Sequence, residues 1–452
     1  MNQADRIAPI WRVLKFGGSS VAEAQNWDRI AGEARRAMAE GRHVAIVVSA
    51  LAGITDLLER CVRHPSEFST AEVMMEVRRR HQMLAAAREV DPDAIDSWFA
   101  ELESGLDALA DDASPTQAAA LLALGELMSS RLGVEILRGA GLDAAWLDSR
   151  ELLVCDERAR RGVGARMLAA QCEVAPDAEV ASRIAARGRL FVLPGFVARD
   201  AAGNTVLLGR GGSDVSAALV GTLLGADRVE ILSDVPGLFS ADPRRIPAAR
   251  LLKNISYREA LELAAMGARA LHPRALLPLR KHKIPLWLRQ TSRPEIDGTR
   301  ITPDAHEHGA QVKAIVARKN ITLISLEGLD MWQQVGFLAD VFGVFRDHGL
   351  SIDLVSTSES NVTLTLDPGV NPIDEATLSR LAAELGRHAQ VDINTECATV
   401  SLVGLGIRTI LHRLGPALEV FEQRRIFQVS QAANDLNFTV VVDEAEGRAL
   451  AA

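Results

Sequence analysis

The sequence contains few aromatic residues, few cysteines and no long apolar run, and each shortage excludes a class of protein. Aromatic residues make up 4% of the 452 residues, with a single tyrosine, which is too few for a base-stacking surface. The four cysteines, Cys61, Cys155, Cys172 and Cys397, are widely scattered and fit neither a disulfide framework nor a metal-binding spacing. The longest apolar stretch, residues 44–58, is interrupted by polar side chains, so we expect no membrane span.

Positive charge is also in short supply. The 50 Lys and Arg residues against 59 Asp and Glu residues give a net charge of −9, which argues against nucleic acid or an anionic membrane as partner. The first 16 residues lack the apolar core of a signal peptide. The length, at roughly 100–200 residues per domain, predicts two to four domains. We therefore expect a soluble, multidomain, cytoplasmic protein.

Short apolar runs alternate with helical patterns through the first two thirds of the chain. This alternation is typical of an αβα sandwich with a mostly parallel central sheet. The charged stretch 59–112 has no strand pattern and predicts a helical insertion. The predicted strands are 13–16, 43–49, 144–147, 190–196, 229–233 and 284–288, and the predicted helices are 27–40, 117–138, 214–225 and 257–265.

The composition changes near residues 291–310, which are rich in Pro, Gly, Asp and His and show no hydrophobic periodicity. We place a domain boundary there. A weak repeat of about 75 residues follows and predicts two similar α+β units. The first copy has a helix over 335–348, with Leu338, Val341, Phe342 and Phe345 on one face, a strand over 351–355 and an alternating strand over 362–366. The second copy has the same elements over 417–423, 426–429 and 436–442.

The first motif with chemical content is the glycine turn KFGGSSV, residues 15–21. Backbone amides of Gly17 and Gly18 can approach an anion there, and Lys15 adds a positive charge. The spacing is not that of a P-loop. Taken alone, the pattern is also compatible with a plain strand-to-helix turn.

The second motif, GRGGSD at 209–214, precedes an Ala- and Leu-rich helix. Its glycines open amides at a helix N-terminus, and Arg210 can pair with a carboxylate. Asp214 stands where an N-cap would, and capping is its alternative role. Three glycines, an arginine and an aspartate in six residues favour a functional loop over simple packing.

The third motif, SDVPGLFSADPR at 233–244, comes after a predicted strand, at the end where open α/β sheets bind ligands. Asp234 lies at the strand end and Arg244 can reach a phosphate, although a rigid turn with solvated charges stays an alternative. Glu126 lies in an apolar helical stretch, where it faces either solvent or a cation in a pocket. His272 is interpreted as a structural, helix-ending residue rather than a general base.

In this order, these segments resemble the aspartokinase family, whose members are amino-acid kinases with C-terminal tandem ACT domains. The blocks are KFGGSSV, SALAGITDLL (49–58), GRGGSD, SDVPGLFSADPR and GARALHPRAL (267–276). The resemblance extends from about residue 14 to 442. It implies phosphoryl transfer from ATP, with Mg²⁺ bound mainly through the nucleotide, to the β-carboxylate of L-aspartate. The product is 4-phospho-L-aspartate, the first intermediate of lysine, diaminopimelate, threonine and methionine biosynthesis.

The resemblance also assigns roles to individual residues. Lys15 would stabilise the transferring phosphoryl group and Asp214 would orient Lys15. Arg210 would take the α-carboxylate of aspartate, and Glu126 its ammonium group. Ser49, Thr55, Phe196 and Ser213 would complete the substrate pocket, and the nucleotide would contact Gly17, Gly18, Ser19, Ser233, Asp234, Phe239, Arg244 and Arg269.

Four positions depart from the family pattern. Ser19 replaces the usual Thr, Val215 replaces a Tyr, Phe239 replaces a Tyr at the nucleotide, and Arg269 replaces a Lys near the phosphates. Arginine keeps the charge but has a bulkier, forked head group. These changes bear on nucleotide affinity more than on the activity itself.

The C-terminal region resembles the inhibitor-binding segment of lysine-sensitive members. Asp353 and Glu359 would take the ammonium groups of lysine, and Ser358 with the backbone near Phe337 its carboxylate, while Met331 and Leu338 belong to the same segment. Threonine or another amino acid stays open as effector. ACT units bind effectors across subunit interfaces, which implies a homodimer or homotetramer.

We accordingly expect a kinase domain over 10–300, a first ACT unit over 311–395 and a second over 396–445. The two ACT units would be interleaved, with a strand over 313–326 possible in the second. No metal site made by the protein itself is expected. Two alternatives remain: another amino-acid kinase, or a catalytically silent amino-acid sensor.

Overall fold

A computed structural model describes residues 9–109, 113–155, 163–268, 271–303, 309–328, 334–371, 373–413, 415, 419–422, 424–431 and 434–446. The chain divides into two compact units. The first comprises Met1–Leu238, Leu251–Ala260 and Arg269–Ala305, and the second comprises Phe239–Arg250, Leu261–Ala268 and His306–Ala452. No helix among the described residues is long and apolar enough to cross a membrane.

The described part of the first unit is built on an eight-stranded sheet with the order β3-β4-β2-β1-β7-β9-β10-β8. All neighbouring strands are parallel except β9 and β10, which are antiparallel. β5 and β6 form a separate hairpin. The strands are β1 Trp11–Phe16, β2 His43–Val48, β3 Ala144–Trp146, β4 Leu190–Pro194, β5 Val197–Arg199, β6 Thr205–Leu207, β7 Arg228–Ser233, β8 Asn254–Ser256, β9 Leu286–Gln290 and β10 Thr299–Thr302.

Helices cover this sheet, and β1, β4 and most of β2 are buried along their length. This burial explains why β2 and β4 are near-continuous apolar runs rather than alternating ones. β1 also buries Arg12 and Lys15, which pair with Asp227 and Asp214. The helices are α1 Gly18–Ala22, α2 Asn26–Ala39, α3 Ile54–Arg63, α4 Thr70–Ala87, α5 Asp96–Asp107, α6 Pro115–Gly139, α7 Val163–Leu168, α8 Ala178–Ala185, α9 Gly212–Leu223, α10 Tyr257–Ala265, which continues into the second unit, and α11 Pro273–Lys281.

The predicted fold class is confirmed. All six strands and all four helices predicted in this region are present, with ends within two residues of the prediction. The stretch predicted as a helical insertion consists of the end of α3, then α4 and α5 with short 3₁₀ turns. α6 begins with a complete capping box between Ser114 and Gln117.

The second unit contains, in its described part, a six-stranded antiparallel sheet with the order β12-β13-β11-β14-β16-β15. The two central strands, β11 and β14, are 14 residues long and pair along both halves of the sheet. The elements are β11 Ala314–Glu327, α12 Phe337–Asp347, β12 Val355–Thr357, β13 Asn361–Leu366, α13 Glu375–Leu385, β14 Gln390–Val403, β15 Ile426–Ser430 and β16 Asn437–Asp443. The division at 311–395 and 396–445 stays a prediction.

Two details of the predicted repeat are wrong. Leu338 does not share the buried face of α12, since it is 41% exposed. The strand predicted over 351–355 begins at Val355. At Ser351 the Asn371 side chain takes the place of a neighbouring strand, since it accepts from Ser351 N–H and donates to Ser351 O, whereas Asp353 N–H and Leu354 O already bond to Thr365 of β13. Of the helix predicted over 417–423, the described residues 419–422 form only a short 3₁₀ turn over Glu419–Phe421.

The cysteine expectation is also wrong for one pair, because Cys155 and Cys172 form a disulfide. Both segments are attached to the β5–β6 hairpin. Cys155 N–H donates to Arg199 O at 2.8 Å, and Ala170 N–H donates to Leu207 O at 2.8 Å. The hairpin therefore brings together cysteines whose sequence spacing gives no sign of pairing.

Candidate active site

Three of the predicted motifs and the predicted substrate residue Phe196 lie at neighbouring strand ends. β4, β2, β1 and β7 are consecutive and parallel, so their carboxyl ends meet at one edge of the sheet. Phe196 follows β4, Ser49 follows β2, Gly17 follows β1 and Ser233 ends β7. This edge is where open α/β sheets bind their ligands.

The glycine turn after β1 is held from two sides. Gly17 N–H donates to Leu232 O at 3.3 Å. Ser20 and Thr291 share a buried hydroxyl–hydroxyl hydrogen bond of 2.8 Å. A Cβ on Gly18 would lie 2.8 Å from Ala50 O, so this position requires glycine. The turn therefore keeps the backbone close to the end of β2.

The second glycine motif lies beside the first. β6 ends at Leu207, and α9 begins at Gly212 after Gly211, whose φ of 64° is accessible to glycine at little cost. Gly211, rather than Asp214, occupies the N-cap position. Asp214 instead pairs with Lys15, with 2.6 Å between Oδ1 and Nζ, and both side chains are at most 15% exposed. This ion pair joins the two motifs.

Glu126 is buried in α6, at 3% exposure, so it does not face solvent. Burial raises the pKa of its carboxyl to about 8, although the N–H of Ala50 and the charge of Lys15 act in the opposite direction. Its Oε2 has no hydrogen-bond partner among the described residues. A buried carboxyl with a free oxygen is suited to receive an ammonium group, which would favour its charged form.

The other predicted substrate residues occupy the same region of the first unit. Ser49 O accepts a 2.8 Å hydrogen bond from Ser129 Oγ, which fixes the end of β2. Phe196 has a positive φ of 65° and is 9% exposed. Ser213 is buried in the first turn of α9, Thr55 is half-buried in α3, and the Arg210 side chain is exposed.

The predicted nucleotide residues are distributed over both units. Ser233 ends β7, and Asp234 O accepts from Gln290 Nε2 at 2.9 Å. Ser19 is exposed on α1. Phe239 and Arg244 belong to the second unit, where Arg244 pairs with Asp242 at 3.0 Å. Arg269 lies outside the described residues.

His272 begins a helix rather than ending one, which corrects the sequence interpretation. It is the N-cap of α11, and its Nδ1 accepts from Arg274 N–H at 3.3 Å. Burial and the nearby arginines lower the pKa of its imidazole, although Asp214 raises it. An unprotonated Nδ1 is required for this cap.

The predicted effector residues lie at the β12–β13 hairpin and on α12. Asp353 is half-buried, with its Oδ2 3.9 Å from Arg318 Nη1, and burial raises the pKa of its carboxyl. Glu359 is exposed in the turn at the other end of β12, next to Ser358, whose Oγ accepts from Asn361 N–H at 3.1 Å. β12 therefore separates Asp353 from Glu359.

The two apolar effector positions on α12 differ in burial. Phe337 is buried at the start of the helix, whereas Leu338 is exposed. Met331 lies outside the described residues. No group of three or more His, Cys, Asp or Glu residues that could hold a metal occurs within the described ranges.

Two arginines that support the site were not assigned a role from the sequence. Arg80, on α4, donates to Ala52 O in the loop after β2. Arg274, in the first turn of α11, donates to Leu208 O, directly before the GRGGSD loop. Exposed and half-buried arginines are common on helices, so nothing in the sequence around these two distinguishes them from other surface arginines.

Comparison with known proteins shows the family and the fold. The amino acid kinase family profile matches residues 11–290. Over 448 residues the chain is 34% identical to the lysine-sensitive aspartokinase 3 of Escherichia coli K12, covering 96% of each. The crystal structure of E. coli aspartokinase III with aspartate and ADP, in the R-state, superposes with a TM-score of 0.79 at 29% identity, covering 97% of this chain and 98% of that one. The T-state complex of the same enzyme with lysine and aspartate gives a TM-score of 0.74 at 29% identity, covering 97% of each.

The chain belongs to the amino acid kinase family. Within that family it belongs to the aspartate kinases, whose architecture it shares over nearly its full length.

Proposed function

We propose that this aspartate kinase transfers the γ-phosphoryl group of ATP to the β-carboxylate of L-aspartate, giving 4-phospho-L-aspartate. The observation that carries the proposal is the 2.6 Å contact between Lys15 and Asp214, which links two glycine-rich loops at one edge of the sheet. The related E. coli enzyme has been crystallised with aspartate and ADP. The product would enter lysine, diaminopimelate, threonine and methionine biosynthesis in the cytoplasm.

The reaction requires positioning more than covalent chemistry. A carboxylate is already a nucleophile at neutral pH, so no general base is needed, and the protein must align it with the γ-phosphoryl group and neutralise charge. Lys15 supplies the charge at the transferring group. The Gly17 N–H donates to Leu232 O, so the Gly18 N–H is the amide of this turn that we assign to the phosphoryl oxygens. Asp214 holds the Lys15 ammonium in place. Mg²⁺, when bound through the phosphate oxygens, would neutralise further charge there.

The aspartate itself would be recognised by residues of opposite charge. Arg210 pairs with its α-carboxylate, because a guanidinium can donate two parallel hydrogen bonds. Glu126 accepts the α-ammonium group with its free Oε2. Ser49, Thr55, Phe196 and Ser213 line the remaining surface, and Ser19, Ser233 and Asp234 serve the nucleotide. The nucleotide roles of Phe239, Arg244 and Arg269 stay predictions from the family resemblance.

Formation of the acyl phosphate tests this assignment. Trapping with hydroxylamine should give aspartyl hydroxamate only when ATP, Mg²⁺ and aspartate are all present. Lys15→Ala should reduce turnover by at least 100-fold, whereas Lys281→Ala, at an exposed lysine in the last turn of α11, should retain it. Hydroxamate with glutamate but not aspartate would refute the proposed substrate.

We further propose that lysine inhibits the enzyme by binding to the second unit. The name of the E. coli relative includes lysine sensitivity, and its T-state structure contains lysine. Asp353 and Glu359 flank opposite ends of β12, so each carboxylate can take one ammonium group of a lysine that approaches this strand from a second subunit. A lysine bound by both would lie between two copies of the chain, which fits a homodimer or homotetramer.

Inhibition by lysine and not by threonine is the expected result. Glu359→Ala should relieve inhibition at least tenfold and leave basal turnover unchanged, and Glu375→Ala, at an exposed acidic residue that begins α13, is the control. Sedimentation should show a dimer or larger species. Unchanged inhibition in Glu359→Ala would remove that residue from the effector site.

A further inference from the structure

The first turn of α11 contacts the chain directly before the GRGGSD loop. The guanidinium of Arg274 donates from Nη1 to Leu208 O at 2.6 Å and from Nη2 to Ala170 O at 2.7 Å. Leu208 also donates its own N–H to Phe196 O at 2.8 Å. Both backbone polar groups of Leu208 are therefore held by residues far from it in sequence.

The hydrogen bonds of Leu208 fix the start of the loop that follows it. The β6 strand ends at Leu207, and α9 begins at Gly212, so Arg210 lies on a short segment outside regular structure. The glycines on either side of it, Gly209 and Gly211, have φ values of 74° and 64°. Glycine restricts the backbone little, so the loop conformation depends on its anchors.

The same helix turn also limits the far side of the loop. A Cβ on Gly211 would lie 2.5 Å from the Cβ of His272, so the loop backbone packs directly on the N-cap residue of α11. His272 is in turn fixed by the hydrogen bond from Arg274 N–H to its Nδ1. The α11 turn thus contacts the loop before and after Arg210.

We propose that Arg274 is a positioning residue for aspartate binding, which acts by holding the 208–211 backbone so that Arg210 meets the α-carboxylate. This inference rests on the proposed role of Arg210. An arginine suits the task because its planar fork donates to two carbonyls in fixed directions, whereas a lysine ammonium is a point charge on a flexible stem.

Steady-state kinetics of Arg274→Ala test the proposal. The KM for aspartate should rise at least tenfold, while the KM for ATP changes less than twofold and kcat less than threefold. Arg274→Lys, which can still donate to Leu208 O, should give an intermediate KM for aspartate. Arg280→Ala, at an exposed arginine of the same helix, should match the unmodified enzyme. Equal increases in both KM values for Arg274→Ala would overturn the proposal.

A double-mutant cycle separates this inference from the proposed role of Arg210. If Arg274 acts through Arg210, adding Arg274→Ala to Arg210→Ala should raise the aspartate KM by less than twofold. A full additive effect would overturn the positioning role. An unchanged aspartate KM in Arg210→Ala alone would instead refute the substrate assignment of Arg210. If Arg274→Ala does not fold, Arg274→Lys in both backgrounds decides the question.

Discussion

Aspartate binding should release a proton, because Glu126 is uncharged before the substrate arrives. Its carboxyl is 3% exposed, and burial raises its pKa to about 8. A bound ammonium group at the free Oε2 would favour the carboxylate and lower the pKa again. Binding of the zwitterionic amino acid is therefore coupled to ionisation of a side chain in the pocket.

The size of the effect can be calculated from this pKa. With a pKa of about 8, roughly 90% of the Glu126 carboxyls carry a proton at pH 7, so about 0.9 proton should leave per aspartate bound. Protonation competes with binding, so the affinity for aspartate should increase about fivefold from pH 7 to pH 8. Near pH 9 both effects should be small, because about 90% of the free enzyme is then already ionised at Glu126.

Isothermal titration calorimetry in buffers of different ionisation enthalpy measures the proton count directly. Difference infrared spectroscopy supplies the control: the C=O stretch of a protonated carboxyl should vanish on aspartate addition and be absent from Glu126→Gln. Binding without proton release at pH 7 would show that Glu126 is already ionised or does not receive the ammonium group. In both cases the proposed coupling between aspartate binding and Glu126 ionisation would be refuted.

Two further predictions concern stability. His81 is buried and its pKa is lowered to about 4, mainly by desolvation, so the unfolded chain binds a proton that the folded one rejects between pH 6.5 and 4. Because of His81, the free energy of unfolding should be about 2 kcal/mol lower at pH 5 than at pH 7. In His81→Leu, urea unfolding should show no such decrease from this position. Arg289 bridges Glu33 and Glu230 in the interior, at 3.0 and 2.8 Å. Arg289→Met should cost about 3–5 kcal/mol in the free energy of unfolding, and a loss below 1 kcal/mol would contradict this.

Much of the first unit could be predicted because its strands are buried on both faces. A strand such as β4 must be apolar throughout, and the glycine-rich turns mark the end of β1 and the start of α9. The short strands β5, β6, β8 and β10 were not predicted. The orientation of Glu126 could not be predicted, because residues 121–130 of α6 are buried on every side. A helix without an exposed polar face gives no periodic pattern from which the direction of one side chain could be inferred.

The failures share a physical cause, which is contact between residues distant in sequence. Asn371 replaces a neighbouring strand at Ser351, so the alternating segment 351–355 does not form a strand at its first residue. The disulfide between Cys155 and Cys172 depends on the β5–β6 hairpin, and the role inferred for Arg274 depends on carbonyls 66 and 104 residues away. No local pattern contains that information.

The two long central strands of the second unit have a consequence for its cooperativity. Because β11 and β14 run through both halves of the six-stranded sheet, neither half can lose its central strands while the other keeps them. We therefore expect the unit to unfold in one transition rather than as two independent modules. An amino acid bound at the β12 edge would then protect amides in β15, at the opposite edge, from hydrogen exchange.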